Sequence, residues 1–178
     1  MAKTTVDHTE FLKETLRALD DPGCLLVSQG KEGKPNAMTI GWGTVGVIWG
    51  RPMFVVLVRH SRYTWRLLEE TDEFTVNVPP PELAEAAMLC GTKSGRDLDK
   101  LAAAGLTAVA GRHVRVPIIG ECVVHYECRT VHRNNVDPTS LAASILDGCY
   151  SKGDFHTLYY GEILGVSADE DARERLGG

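Results

Sequence analysis

The chain has 178 residues, 43% hydrophobic and 24% charged, with a formal net charge of -5 and a pI of about 5.7. That length suits one domain and buries about 70% of the unfolded surface, so neither disorder nor a metal or disulfide requirement for folding is expected. The acidic balance argues against a general nucleic-acid or membrane-surface binder, and no apolar run is long enough to span a bilayer.

The lead-in over 1–22 has no signal-peptide core and carries a helical stripe of Phe11, Leu12, Leu16 and Leu19, which stops at Asp21-Pro22-Gly23. A core over 23–166 follows. Residues 24–29 read as a strand and 30–35 as a Gly-rich turn; 36–49 form one long extended segment, broken by Gly50-Arg51-Pro52. In that segment Asn36, Met38, Ile40 and Trp42 share one parity, while Ala37, Thr39, Gly41 and Gly43 leave the other nearly bare. A bare strand face marks either a barrel corner or the close approach of a flat ligand.

Residues 53–58 are apolar on both alternating faces, as in a strand buried on two sides. A short helix over 62–71 follows with Ser61 as its N-cap, then a strand over 73–78. Pro79-Pro80-Pro81 stops that strand and starts a helix to about Leu89. Ser94 and Asp97, at capping-box spacing, begin a helix that ends near Gly105.

The C-terminal part returns to strands, over 114–117, 120–132 and 155–166, with a helix from Asp137-Pro138 to Leu146. In 120–132, Cys122, Val124, Tyr126 and Cys128 share one face, opposite His125, Glu127 and Arg129. The tail over 167–178 is polar and expected to be loosely held. Strands at this density without βαβ alternation point to a mainly β fold, an antiparallel barrel with inserted helices.

Two constellations carry chemistry. Arg59-His60-Ser61-Arg62-Tyr63-Thr64 follows the buried strand and opens a helix, where unpaired N–H groups, hydroxyls and guanidinium forks suit an anion. The plainer reading is a capped helix with solvated arginines. Cys90-Gly91-Thr92-Lys93-Ser94-Gly95-Arg96, with Lys100 beyond, again sets glycines, hydroxyls and cations near a helix start, without the spacing of a Walker loop or dinucleotide fingerprint.

Catalytic templates fail: there is no G-x-S-x-G elbow and no HExxH, and the six histidines are dispersed. Only His156, before the aromatic strand Thr157-Leu158-Tyr159-Tyr160, stands out. Five cysteines (Cys24, Cys90, Cys122, Cys128, Cys149), with no CxxC pair, suit reduced thiols, a cytoplasmic address and no zinc site. Cys90 reads either as a low-pKa thiol beside cations or as a small buried residue.

Asn36-Ala37-Met38-Thr39 with Trp42, the run Arg59 to Thr64, and Glu73 to Pro79 resemble the flavoredoxin branch of the flavin reductase-like family. So do Cys90-Gly91 with Ser94-Gly95-Arg96-Asp97 and Lys100, and the closing stretch from His156 to Ile163. The resemblance implies a Greek-key FMN-binding split barrel that pairs as a homodimer. It places Asn36, Ala37, Met38, Thr39, Trp42 and Asn77 by the isoalloxazine ring, and Arg59, Ser61, Arg62, Tyr63 and Thr64 on the phosphate and ribityl chain. Cys90, Gly91, Ser94, Gly95, Arg96 and Lys100 would complete the polar pocket, and His156 would approach from the last strand.

The hydride and electron chemistry would then belong to the flavin, which explains the missing nucleophile. Three functions fit: an FMN electron carrier with a redox protein partner, an NADH- or NADPH-dependent reductase that releases free flavin, or a non-enzymatic dimeric binding module.

Overall fold

The computed structural model describes residues 3–177. It holds strand β1 (Lys3–Val6), helix α1 (Leu12–Asp20), strands β2 (Cys24–Gln29), β3 (Pro35–Ile40), β4 (Gly43–Ile48) and β5 (Arg51–Arg59), helix α2 (Tyr63–Glu70) and strand β6 (Glu73–Val78). Helices α3 (Ala84–Thr92) and α4 (Lys100–Ala103), short strands β7 (Ala108–Val109) and β8 (Ile118–Ile119), strand β9 (Val124–Asn135), helix α5 (Ala143–Tyr150), strand β10 (His156–Asp169) and helix α6 (Ala172–Arg175) follow. Among the described residues no helix is long and apolar enough to cross a membrane.

The main sheet runs β3-β2-β6-β9-β10-β5-β4, with β1 added on β10, and its pairings are antiparallel. Its two edges, β3 and β4, are separated in the chain only by Gly41-Trp42. So short a link forces the sheet to curl until its edges come together. They do not hydrogen-bond to each other, however. The sheet is therefore an open, curled one that resembles the expected split barrel without closing into a true barrel, and the single extended segment over 36–49 is two strands at opposite edges.

Strand alternation divides the interior in two. Cys24 and Leu26 of β2, with Met38 and Ile40 of β3, face the inside of the curl, where Phe54, Val56, Phe74, Val76, Tyr126, Tyr159 and Leu19 of α1 close the larger core. Leu25, Val27 and Ala37 face outward under Ala87 and Cys90 of α3 and Leu101 of α4. Helix α3 covers part of the bare parity of β3: a Cβ on Gly91 would come within 3.3 Å of Thr39.

Other expectations are corrected locally. Ser61 does not cap α2; Arg62 holds the N-cap position, and the Ser61 hydroxyl donates to Asp154 instead. Ser94 begins no helix, because Asp99 caps α4 by accepting from the Ala102 N–H at 3.2 Å. Residues 114–117 form no strand: the buried Glu127 carboxylate accepts the N–H of His113 and of Val114, which holds this segment as a loop. The helix expected from Asp137 starts later, as α5, after a 3-10 turn over Pro138–Ser140.

The tail is docked rather than loose. β10 continues to a buried Asp169, which pairs with Lys3 of β1 at 2.8 Å and Arg175 of α6 at 3.3 Å. On β9, His125 and Glu127 are as buried as the apolar parity, since loops and helices cover the outer face there.

Candidate functional site

The end of β5, the turn into α2, the loop from α3 to α4 and the segment joining α5 to β10 converge at the β3 edge. Between them lies a polar hollow of about 230 Å³ lined by Met38, Arg59, Ser61, Arg62, Tyr63, Thr64, Lys93, Ser94, Gly95, Arg96, Lys100 and Asp154. Its cations are held in an unusual way. Arg59 donates to the carbonyls of Asp154 (2.8 Å) and Cys149 (3.0 Å), and Arg62 to that of Gly91 (3.0 Å). Arg96 donates to the Ser61 carbonyl at 3.1 Å, and the buried Lys100 ammonium to the Cys90 carbonyl at 2.9 Å.

Among the described residues, none of these four lies within 4.0 Å of a carboxylate oxygen. Carbonyls satisfy the donors and leave the charge unneutralised. Burial lowers the Lys100 pKa, and Arg62 pushes the same way. Burial raises the Cys90 thiol, although Lys100 opposes it, so Cys90 is the small buried residue and not an activated nucleophile.

One carboxylate enters this hollow. Gly153 and Asp154 both take left-handed backbone (φ 73 and 57), which folds the chain back so that Asp154 accepts the Ser61 N–H at 3.1 Å and hydroxyl at 2.7 Å. Burial raises the Asp154 pKa, but the Ser61 bonds and Arg59 outweigh it and leave the carboxyl below its ordinary value. Behind the lining, Asn36 donates to Thr64 Oγ1 at 2.9 Å, and a Cβ on Gly95 would run into Asn36 Oδ1. Only glycine lets the 94–96 turn close on β3.

A second hollow of about 180 Å³ adjoins the first at Met38, Arg59 and Arg62, and adds Thr39, Ile40, Gly41, Trp42, Leu57 and His156. Trp42 is 43% exposed, unusual for its size, and its ring centroid lies 4.9 Å from that of His156. His156 is buried, and Tyr150 Oη lies 2.8 Å from its Nδ1. Burial, then Arg59, pushes the His156 pKa down to about 4, so the imidazole is neutral at pH 7.

Of the residues singled out in the sequence, Met38, Thr39, Trp42, Arg59, Ser61, Arg62, Tyr63, Thr64, Ser94, Gly95, Arg96, Lys100 and His156 line one hollow or both. Asn36, Cys90 and Gly91 stand behind them as bonding partners. Ala37 is buried in the outer core. Asn77 is not at the site: its side chain bonds Leu25 O, Thr75 Oγ1, the Ile119 N–H and His125 Nδ1 inside the protein.

Asp154 and Tyr150 were not anticipated. Nothing in the sequence linked Asp154 to Ser61, 93 residues away. Among the described residues no group of three or more His, Cys, Asp or Glu side chains is arranged to hold a metal.

The curled antiparallel sheet thus carries a cation-rich hollow that opens into a second one beside Trp42 and His156. The chain belongs to the flavin reductase-like family, whose domain model matches residues 16–177. It is 37% identical over 142 residues to an uncharacterized protein of Archaeoglobus fulgidus, covering 80% of this chain and 70% of that one. Among solved structures it resembles the flavoredoxin of Desulfovibrio vulgaris (Miyazaki F), with 29% identity, TM-score 0.68, and coverage of 84% of this chain and 70% of that one. It also resembles the flavoredoxin of Methanosarcina acetivorans, at 28% identity, TM-score 0.66, and 84% and 69% coverage.

Proposed function

We propose that this protein binds FMN and works as an FMN-dependent oxidoreductase of the flavoredoxin type, reduced by NADH, NADPH or a redox protein. The observation that carries the reading is the set of four cations that meet carbonyls and no carboxylate beside a second hollow walled in part by Met38, Ile40 and Trp42. A phosphate dianion supplies the missing charge, and charge-assisted bonds are roughly twice as strong as neutral ones. Arg96, Lys100, Ser94, Thr64 and Ser61 would hold the phosphate and polar chain, and Met38, Thr39, Trp42 and His156 the ring. When bound, FMN supplies the hydride and electron chemistry. The protein binds it, orients it and sets the charge around it.

A homodimer is part of the same reading. Edge strand β4 and its turn expose Val47 (68%) and Trp49 (62%), and Val131 of β9 is 42% exposed. An unpaired edge with exposed apolar side chains suits a second copy of the chain.

The test is an FMN titration followed by flavin fluorescence, then anaerobic NADH addition to the complex. Stoichiometric quenching with bleaching on NADH is the expected result. Quenching without bleaching by NADH, and then by NADPH, keeps FMN and assigns reduction to a protein donor. No uptake of FMN overturns the reading.

A further inference from the structure

His156 and Tyr150 form a pair whose geometry says more than that both lie near the site. The Tyr150 hydroxyl is 2.8 Å from His156 Nδ1, and the phenol ring is packed on Phe155, with centroids 4.9 Å apart, under the Arg59 guanidinium at 5.2 Å. The imidazole is held in turn against Trp42. Neither ring is free to turn away from the other.

The direction of that bond decides what the second nitrogen does. Imidazolium is disfavoured here: burial and Arg59 act against it, Arg62 and His60 add to them, and Asp154 alone favours it. Asp154 is moreover engaged with Ser61. Between a phenol and a neutral imidazole, the phenol is the stronger acid and the imidazole the stronger base. The O–H therefore donates to Nδ1, and the ring proton sits on Nε2. A neutral imidazole acting as a fixed donor is an established device for polarising a carbonyl.

Nε2 has no protein hydrogen-bond partner among the described residues, and His156 lines the second hollow with Trp42 and Thr39. We propose that Tyr150 is a positioning residue that locks His156 as its Nε2–H tautomer, presenting one fixed donor to an acceptor atom, a carbonyl oxygen or ring nitrogen, of a ligand in the second hollow. The inference rests on the FMN reading, and the acceptor belongs either to the flavin or to the nicotinamide that exchanges electrons with it. It excludes a cationic group at that position.

The tautomer is read directly by long-range ¹H–¹⁵N correlation of His156 in the ligand-free protein at pH 7. The expected spectrum has a protonated Nε2 and an unprotonated, hydrogen-bonded Nδ1. In Tyr150→Phe the ratio shifts roughly fivefold to tenfold toward Nδ1–H, the loss of about one hydrogen bond. A protonated Nδ1 in the wild type overturns the proposal without any variant, and so does an unchanged ratio in Tyr150→Phe with native circular dichroism. FMN is then added, followed by oxidised NAD. A shift of Nε2–H with FMN assigns the acceptor to the flavin, and one only with NAD assigns it to the nicotinamide. A Nε2–H that moves with neither, in a complex shown by fluorescence to hold FMN, overturns the donor role. Failure to bind FMN at all sinks the earlier reading alone, since the tautomer is measured without it.

Discussion

Of two charged hollows on this molecule, the larger is not the one that looks like a site. A pocket of about 550 Å³ lies between the β2–β3 turn, the end of α2 and β6, against about 230 Å³ for the polar hollow at the β3 edge. In the larger one Lys31, Arg115 and Arg129 face Glu70, Asp72 and Glu73. Glu73 accepts the Arg115 N–H at 2.9 Å and pairs with Arg115 Nε at 3.3 Å and Arg129 at 3.7 Å. In the smaller, five cations face one carboxylate. Counter-charge separates the two. A guanidinium on a carboxylate has already spent its Coulomb attraction, whereas one on a carbonyl keeps it for a ligand.

The comparison predicts its largest effect in paired double substitutions. Arg96→Ala with Lys100→Ala removes two charge-assisted partners and is expected to weaken FMN binding about 100-fold, from roughly 1.4 kcal/mol each. Arg115→Ala with Arg129→Ala removes as much charge from the larger hollow and should change FMN affinity less than about twofold, because exposed pairs carry little net interaction. Fluorescence titrations at one ionic strength measure both. Comparable losses in the two variants would break the distinction.

The next effect is steric. A Cβ on Gly95 would meet Asn36 Oδ1 and come within 2.9 Å of the Tyr63 ring, so Gly95→Ala must push the 94–96 turn away from β3. About tenfold weaker FMN binding is expected, on the scale of one misplaced charged bond. The partner variant is Gly33→Ala in the larger hollow, at φ +80, where the nearest atom to a Cβ is 3.5 Å away. It should lower stability by about 1 kcal/mol through backbone strain and leave FMN affinity unchanged. Urea midpoints and the same titration separate the outcomes.

How far the sequence led depended on whether the deciding interaction was local. Strands β2 and β6 match the boundaries read from 24–29 and 73–78, because an apolar run in one and a strict polar–apolar alternation in the other are stopped by turn residues on both sides. The cations of the α3–α4 loop were legible from their spacing beside glycines and hydroxyls. Tertiary partners overruled local signals elsewhere. Ser61 looked like a cap until Asp154 took its hydroxyl, and Ser94 until Asp99 took the role. Residues 114–117 had strand propensity, but Glu127 captured the N–H groups of His113 and Val114. Asn77 sat within a family-like motif, yet its contacts are with β2, β8 and His125. The split of 36–49 into two edges was invisible for the same reason, since it follows from which strands close the sheet.

The smallest predicted effect concerns pH and isolates one group. Lys100 has its pKa lowered by burial, and Arg62 adds repulsion. Only a Cys90 thiolate would oppose this, and burial raises that thiol instead, so both shifts run away from an ion pair. A phosphate dianion needs Lys100 as the ammonium. Affinity is therefore flat below the lowered Lys100 pKa and falls as pH rises through it, because the free protein then has to take up a proton to bind. An ordinary lysine would hold its charge to about pH 10.4. We expect FMN affinity to begin falling at a pH below that ordinary lysine range, by less than the full worth of one charged hydrogen bond. Lys100→Arg should abolish the fall, since a guanidinium stays charged throughout. The neutral imidazole of His156, already deprotonated above about 4, contributes nothing in this range. A wild-type affinity that stays level into the ordinary lysine range, or a fall that survives in Lys100→Arg, would remove Lys100 from the phosphate and shift the charge recognition to Arg96 and the β5 end.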